Sequence, residues 1–205
     1  MSGRGWSLVV AAAIGLALVS LITNITTMSQ LSGEADTLLA ARFTVSKLVN
    51  AGTVWAGLAI LSGWLVRRPA QAVAAGTVAC LVALVVHYGV GRIFGMFDPG
   101  VWADNSYSFI AAVILGGPLG LVGAIAHGSG LWGLAARLVV PAAAVCEPFL
   151  IGMFTSPPIM PWPGRVSSVI SGMILLLAGT VGGIAIIARY RRATATVRDR
   201  HPPGP

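Results

Sequence analysis

Acidic residues are scarce in this chain: six Asp and Glu stand among 205 residues, and all charged types together make up 9%, against roughly 25% in an ordinary soluble domain. So few charges cannot clothe a water-exposed surface, which excludes a soluble globular domain. Cysteine is scarcer still. Cys80 and Cys146 each lie inside an apolar run, with neither metal-ligand spacing nor a disulfide framework around them, and both read as packing residues. Several short motifs are missing as well. The chain has no HExxH pair, no GxxxxGK[ST] phosphate loop and no GxSxG elbow, which discounts the chemistries those motifs serve. Without a nucleotide-holding loop it does not read as an ATP-driven pump by itself; a separate ATPase subunit would have to supply the energy, so a separate ATPase or permease subunit is the partner to expect. No cofactor and no metal site is legible.

What the chain has is apolar length. Hydrophobic residues make up 56% of it, with 26 glycines. At about 20 apolar residues per crossing, six spanning helices fit, with about 80 residues left for loops and tails. The predicted fold is an all-α polytopic membrane bundle of six transmembrane helices, a partner of the lipid bilayer in the cell membrane. The spans are expected over about 7–23, 47–66, 70–91, 107–126, 131–154 and 166–188, forming one domain over 1–192, with a disordered cytoplasmic tail at 193–205. The first run is read as a retained span, because no small-x-small cleavage site follows it. Residues 24–46 are polar and form the first external loop, long enough to hold a short helix. Arg67-Arg68-Pro69 makes a sharp turn, since guanidinium groups resist hydrocarbon and proline starts a new helix. Pro118 and Pro148 are expected to break the fourth and fifth spans, and Gly116-Gly117-Pro118-Leu119-Gly120 marks a kinked or closely packed middle. His127 and His201 are expected to be solvated.

The 13 Lys and Arg outnumber the acids, but they flank apolar runs, so no nucleic-acid partner is inferred. A cytoplasmic N-terminus places nine basic residues inside (Arg4, Arg67, Arg68, Arg137, Arg189, Arg191, Arg192, Arg198 and Arg200) and four outside (Arg42, Lys47, Arg92 and Arg165). That imbalance predicts both termini inside. The tail arginines read mainly as a stop-transfer flank.

One acid lies well inside an expected span. Glu147 should sit about 10 Å from the outer end of the fifth helix, where an ionised carboxylate costs on the order of 3 kcal/mol. It must be protonated, paired with a cation or facing a watery cavity. Two readings stay open: a hydrogen-bonded strut between helices, or a group that binds solute or carries a proton. His87 with Gly91, and Tyr88 with Arg92, occupy adjoining faces of the third helix at the same depth. Asn50 and Trp55 enter from the same side, with Gly52 between them permitting close approach. Glu147, His87, Asn50, Tyr88, Arg92 and Trp55 are therefore the candidate binding residues of a pocket open to the exterior. No second intramembrane carboxylate completes a catalytic dyad.

The succession Asn50-Ala51-Gly52-Thr53-Val54-Trp55, Arg67-Arg68, His87-Tyr88, Gly116-Gly117-Pro118-Leu119-Gly120 and Cys146-Glu147-Pro148 resembles a family of uncharacterised small multi-pass membrane proteins of high-GC, actinobacterial-type bacteria. The likeness covers about residues 48–150. The chain departs from it at Ala51, where serine is common, at His87, where a second tyrosine is common, and at Pro148, where glycine is common. The resemblance implies a shared architecture and draws attention to Glu147 and Asn50, but carries no known activity. Three functions are therefore expected to compete. The first is a small-solute binding or permease-type protein with an outward polar site around Glu147. The second is a structural or assembly protein of the cell envelope. The third, the least supported, is a membrane enzyme using Glu147 and His87 as acid and base.

Overall fold

The computed structural model describes residues 3–25, 32–33, 35–157 and 159–200. The chain is helical, with no strand among the described residues: α1 (Gly3–Thr23), α2 (Asp36–Val49), α3 (Gly52–Val66), α4 (Pro69–Ile93), the single turn α5 (Val101–Asp104), α6 (Ser106–Ile125), α7 (Leu131–Leu150) and α8 (Trp162–Arg200). Six segments are long and apolar enough to cross a membrane: α1, α2 with α3, α4, α6, α7, and α8 as far as Thr194. The shortest, 20 residues, span about 30 Å, which matches the hydrocarbon core.

The helix ends follow local chemistry. Arg67 stops α3 with a left-handed backbone (φ 68°), and Pro69 occupies the first turn of α4, where its missing N–H costs nothing. Gly152, at φ 67°, closes α7: its positive φ turns the chain so that Met153 N donates to Pro148 O at 2.8 Å. The fifth span therefore ends at Leu150 rather than 154, and Glu147 lies in its last turn instead of two turns in. Prolines do not break the helices as expected. Residue Pro118 lies inside a continuous α6, and α7 runs through Pro141 and ends two residues after Pro148. Each proline forfeits one ladder bond, and the surrounding turns and neighbours hold the helix together. Two further boundaries differ. The second crossing segment begins at Asp36, inside the stretch expected as the first external loop, and the chain unwinds within it at Asn50 and Ala51, so Lys47 lies in the last turn of α2 instead of opening α3. At the other end α8 continues as helix through 193–200, where a disordered tail is expected; 201–205, with His201, lie outside the described residues, as do Glu34 and 26–31.

Packing is built on small residues. Val9, Ala13 and Ala17 of α1 meet Leu58 of α3 and Ala75, Ala79 and Ala83 of α4 in one core, and Ala59, Cys80, Leu84 and Ala112 form the next, towards α6. Helix α6 is wedged against α3 and α4 through glycine. A Cβ on Gly63 would lie 2.6 Å from the Gly120 carbonyl carbon, one on Gly76 2.9 Å from Gly120 Cα, and one on Gly116 2.9 Å from Thr77 Cα. Helices α7 and α8 pair separately, with Gly179 set on the Pro141 carbonyl, while α2 packs on α8 through Ser171, whose hydroxyl donates to Thr44 O at 3.3 Å. Cys80 is buried in the α3–α4–α6 core, whereas Cys146 is exposed on α7.

Most of the basic residues gather at one end. Arg4 lines one cavity with Arg67 and Arg68, and Arg137 lines another with Arg189. Between them His127, expected to be solvated, stacks on Trp64 at 4.8 Å and donates from Nε2 to the Trp64 carbonyl at 2.7 Å. The start of α1 and the Arg189 turn of α8 thus lie at the same end. Glu147 lies at the other, against the start of α3.

Candidate functional site

At the Glu147 end, α3 begins without help from its own sequence. Its N-cap is Ala51, which has no side-chain acceptor for the first-turn N–H groups. Glu147 supplies that acceptor from α7. Oε1 accepts from Gly52 N at 2.7 Å, and Oε2 accepts from Thr53 N at 2.8 Å and from the Thr53 hydroxyl at 2.5 Å. Three donors and the positive end of a helix dipole hold the carboxylate, which gives an acid set in an apolar helix its partners. The Gly52 position carries out a different task from the close backbone approach expected of it: the carboxylate fills the space beside it, with Oε1 3.5 Å from where a Cβ would be. Thr53 is 6% exposed, so Thr53→Val, which removes one donor and keeps shape, is expected to cost about 1 kcal/mol in thermal unfolding measurements.

A cation is fixed nearby in the same manner. Lys47 Nζ donates to Gly164 O and Ser167 Oγ, both at 2.9 Å, and to Ser168 Oγ at 2.5 Å. All three ammonium protons are thereby directed into the first two turns of α8. Lys47 and Glu147 form no ion pair with each other, yet both line one cavity of about 370 Å³. Asn50, Ser156 and Ser168 add polar groups to its wall, and the rest, Ile151, Met153, Pro157 and Met160 among it, is largely apolar. The cavity thus presents one anion and one cation, each held by its own neighbours.

Asn50 divides this cavity from a second of about 340 Å³, which it lines with Trp55, Tyr88 and Ser108. Its amide is fully engaged: Oδ1 accepts from the buried Ser20 hydroxyl at 2.5 Å, and Nδ2 donates to Ser46 O at 2.9 Å. Of the six sequence candidates, then, Glu147 and Asn50 share one cavity, and Asn50, Trp55 and Tyr88 share the other. His87 lines neither. It is 7% exposed, packed edge-on to Tyr88 at 5.0 Å and against Phe97 at 5.5 Å, with Nδ1 unpartnered. The Phe97 ring folds back over Gly91, occupying the face that His87 and Gly91 share. Arg92 is exposed and donates to Phe97 O at 3.5 Å, a marginal contact away from Glu147.

Comparisons with protein-family models, with curated proteins and with solved structures found no match to this chain. The chemistry of the site therefore rests on its own geometry. Among the described residues no group of three His, Cys, Asp or Glu is arranged to hold a metal ion, and Glu147 makes no contact with His87. What the arrangement can do is offer a solute two fixed charges of opposite sign. Lys47, Thr53 and Ser156 were not among the sequence candidates. Lys47 reads as a flanking charge, and its serine partners lie 120 and 121 residues away, a separation that no local pattern bridges.

Proposed function

We propose that this chain is a multi-pass protein of the cell membrane that binds or passes a small polar solute at the extracytoplasmic end of its bundle, and that the solute carries both signs of charge. The end rich in Arg4, Arg67, Arg68, Arg137 and Arg189 is taken as cytoplasmic on the distribution of basic residues. One observation carries the reading: Lys47 and Glu147 line the same cavity of about 370 Å³ without neutralising each other. A zwitterion placed between them would meet each charge with its opposite, in surroundings where water screens weakly. Energy for any uphill movement would come from a separate subunit.

The test uses Ser156, which lines the cavity and makes no hydrogen bond or ion pair among the described residues. Ser156→Leu fills space without disturbing either charge. Amino acids and betaines serve as probes in a thermal-shift screen of the purified protein. At least one is expected to raise the Tm of the wild type and leave that of Ser156→Leu unmoved, with equal Tm values in the absence of solute. Failure of every probe on the wild type, or equal shifts in both proteins, would reject the assignment.

A second reading has its own support. Glu147 makes three hydrogen bonds to α3, as a strut between helices would. On that reading the chain is a structural or assembly protein of the cell envelope, and the cavity is space left between α2, α7 and α8.

A further inference from the structure

We infer that the opposite, basic end of the bundle holds a phosphate group, carried by a lipid headgroup, in the cavity between the start of α1 and the turn from α3 to α4. This cavity, of about 470 Å³, is lined by three arginines, Arg4, Arg67 and Arg68, together with Trp6, Gln71, Leu8 and Leu65, and no acidic residue is among the described residues that line it. Among the described residues, none of the three guanidinium groups has a hydrogen-bond, ion-pair or ring partner. Each offers five N–H donors in a planar fork that grips two oxygens of a phosphate at once. Three unpartnered cations around one cavity repel one another, and an anion from outside the chain removes that repulsion.

The backbone points to the same ligand. Arg67 has a φ of 68°, the one positive value at a non-glycine among the described residues. Glycine takes this conformation without strain, and an arginine resists it, so the turn alone gives no reason for a guanidinium here. The turn is also where α4 begins. Its N-cap, Arg68, provides no side-chain cap for the first-turn N–H groups, and the helix opens beside the cavity that Gln71 lines. An uncapped helix start and three guanidinium groups thus act on the same space. The apolar part of the wall selects the source. Leu8, 48% exposed, lines the cavity beside the arginines, with the half-buried Leu65 behind it, and offers a surface on which the acyl chain of a lipid would lie while its phosphate meets the charges. Inorganic phosphate shares the headgroup chemistry but leaves that apolar wall bare.

The experiment is native mass spectrometry of the full chain in detergent, titrated with dioleoyl phosphatidic acid and with dioleoylglycerol, which lacks the phosphate. The wild type is expected to retain one phosphatidic acid at concentrations where no dioleoylglycerol stays bound. Arg67→Gly with Arg68→Gln keeps the turn, since glycine suits the backbone of residue 67. It is expected to bind at least about ten-fold more weakly, whereas Arg189→Gln with Arg191→Gln, which also removes two charges at this end, should stay within about two-fold of wild type. A Tm measurement on each variant confirms folding, and Arg67→Lys with Arg68→Lys, which keeps charge without the fork, should fall between. A parallel thermal-shift titration with inorganic phosphate separates the sources. If phosphate raises the wild-type Tm but not that of the Gly/Gln variant, and phosphatidic acid is not retained, the site takes free phosphate. The proposal is overturned if neither phosphate source binds, if dioleoylglycerol binds equally, if the Gly/Gln variant binds like wild type, or if the Arg189/Arg191 variant loses as much.

Discussion

Gly120→Ala is expected to be among the most damaging single methyls that can be added to this protein, alongside Gly63→Ala and Gly123→Ala, lowering its Tm in detergent far more than the same change at a glycine with open space beside it. The new Cβ would lie inside contact distance of Ala72 O, 3.0 Å from the Ala72 carbonyl carbon and 3.2 Å from Gly76 Cα. Its neighbours are thus backbone atoms, which cannot swing aside like the end of a side chain. On the far side, the Gly120 carbonyl already occupies the place of a Cβ on Gly63, so α6 cannot retreat from α4 without pressing on α3. Overpacking a core costs about 1–3 kcal/mol where side chains can adjust, and here whole helices must move, which places the loss at or above the top of that range. Gly15→Ala and Gly57→Ala are the controls, because no atom lies within 4 Å of a Cβ at either position. Both are expected to be neutral or to stabilise by up to about 1 kcal/mol through helix propensity. A Gly120→Ala protein that melts with the wild type would show that α6 does not pack as described.

Glu147→Leu is expected to cost on the order of 3 kcal/mol, because it removes the acceptor of the Gly52 N–H and of the buried N–H and hydroxyl of Thr53. Glu147→Gln keeps one acceptor oxygen but turns an NH₂ towards donors, so it should fall between wild type and Glu147→Leu. A double-mutant cycle isolates the contact: Thr53→Val costs stability in the wild type and should cost nothing once Glu147→Leu has removed its partner. Equal costs in both backgrounds would mean that the Thr53 hydroxyl does not act through Glu147. This structural role also explains why loss of solute binding in a Glu147 variant cannot by itself assign a binding role, and why Ser156→Leu is the cleaner probe of the cavity.

Much of the membrane-crossing layout was legible because it depends on local composition. Charge-free runs of about 20 residues locate α1, α4 and α6, Arg67-Arg68-Pro69 ends one helix and begins the next, and the glycines of α6 announce close packing. The site was legible only as a set of depths. Counting residues from helix ends put His87, Arg92 and Glu147 near one level, but depth does not say which way a side chain points around its helix. Phe97 folds over the face that holds His87, and Arg92 ends among exposed groups. The break at Ala51 was hidden for a different reason. Nothing between Asn50 and Thr53 forces a helix to stop, and the acceptor that stabilises a new start at Gly52 lies 95 residues further along the chain.

From composition and the lengths of its apolar runs alone, the sequence determined that this is an all-helical chain with six segments able to cross a bilayer, because hydrocarbon demands long stretches free of charge and backbone hydrogen bonds closed within each segment. Tertiary structure alone decided what the acid on α7 does. A carboxylate cannot be assigned to a helix end, a cavity or a cation until the elements that surround it are packed, since its partners are chosen by proximity in space. Packing set Glu147 on the bare start of α3, set Lys47 on the serines of α8, and left the two charges facing one cavity.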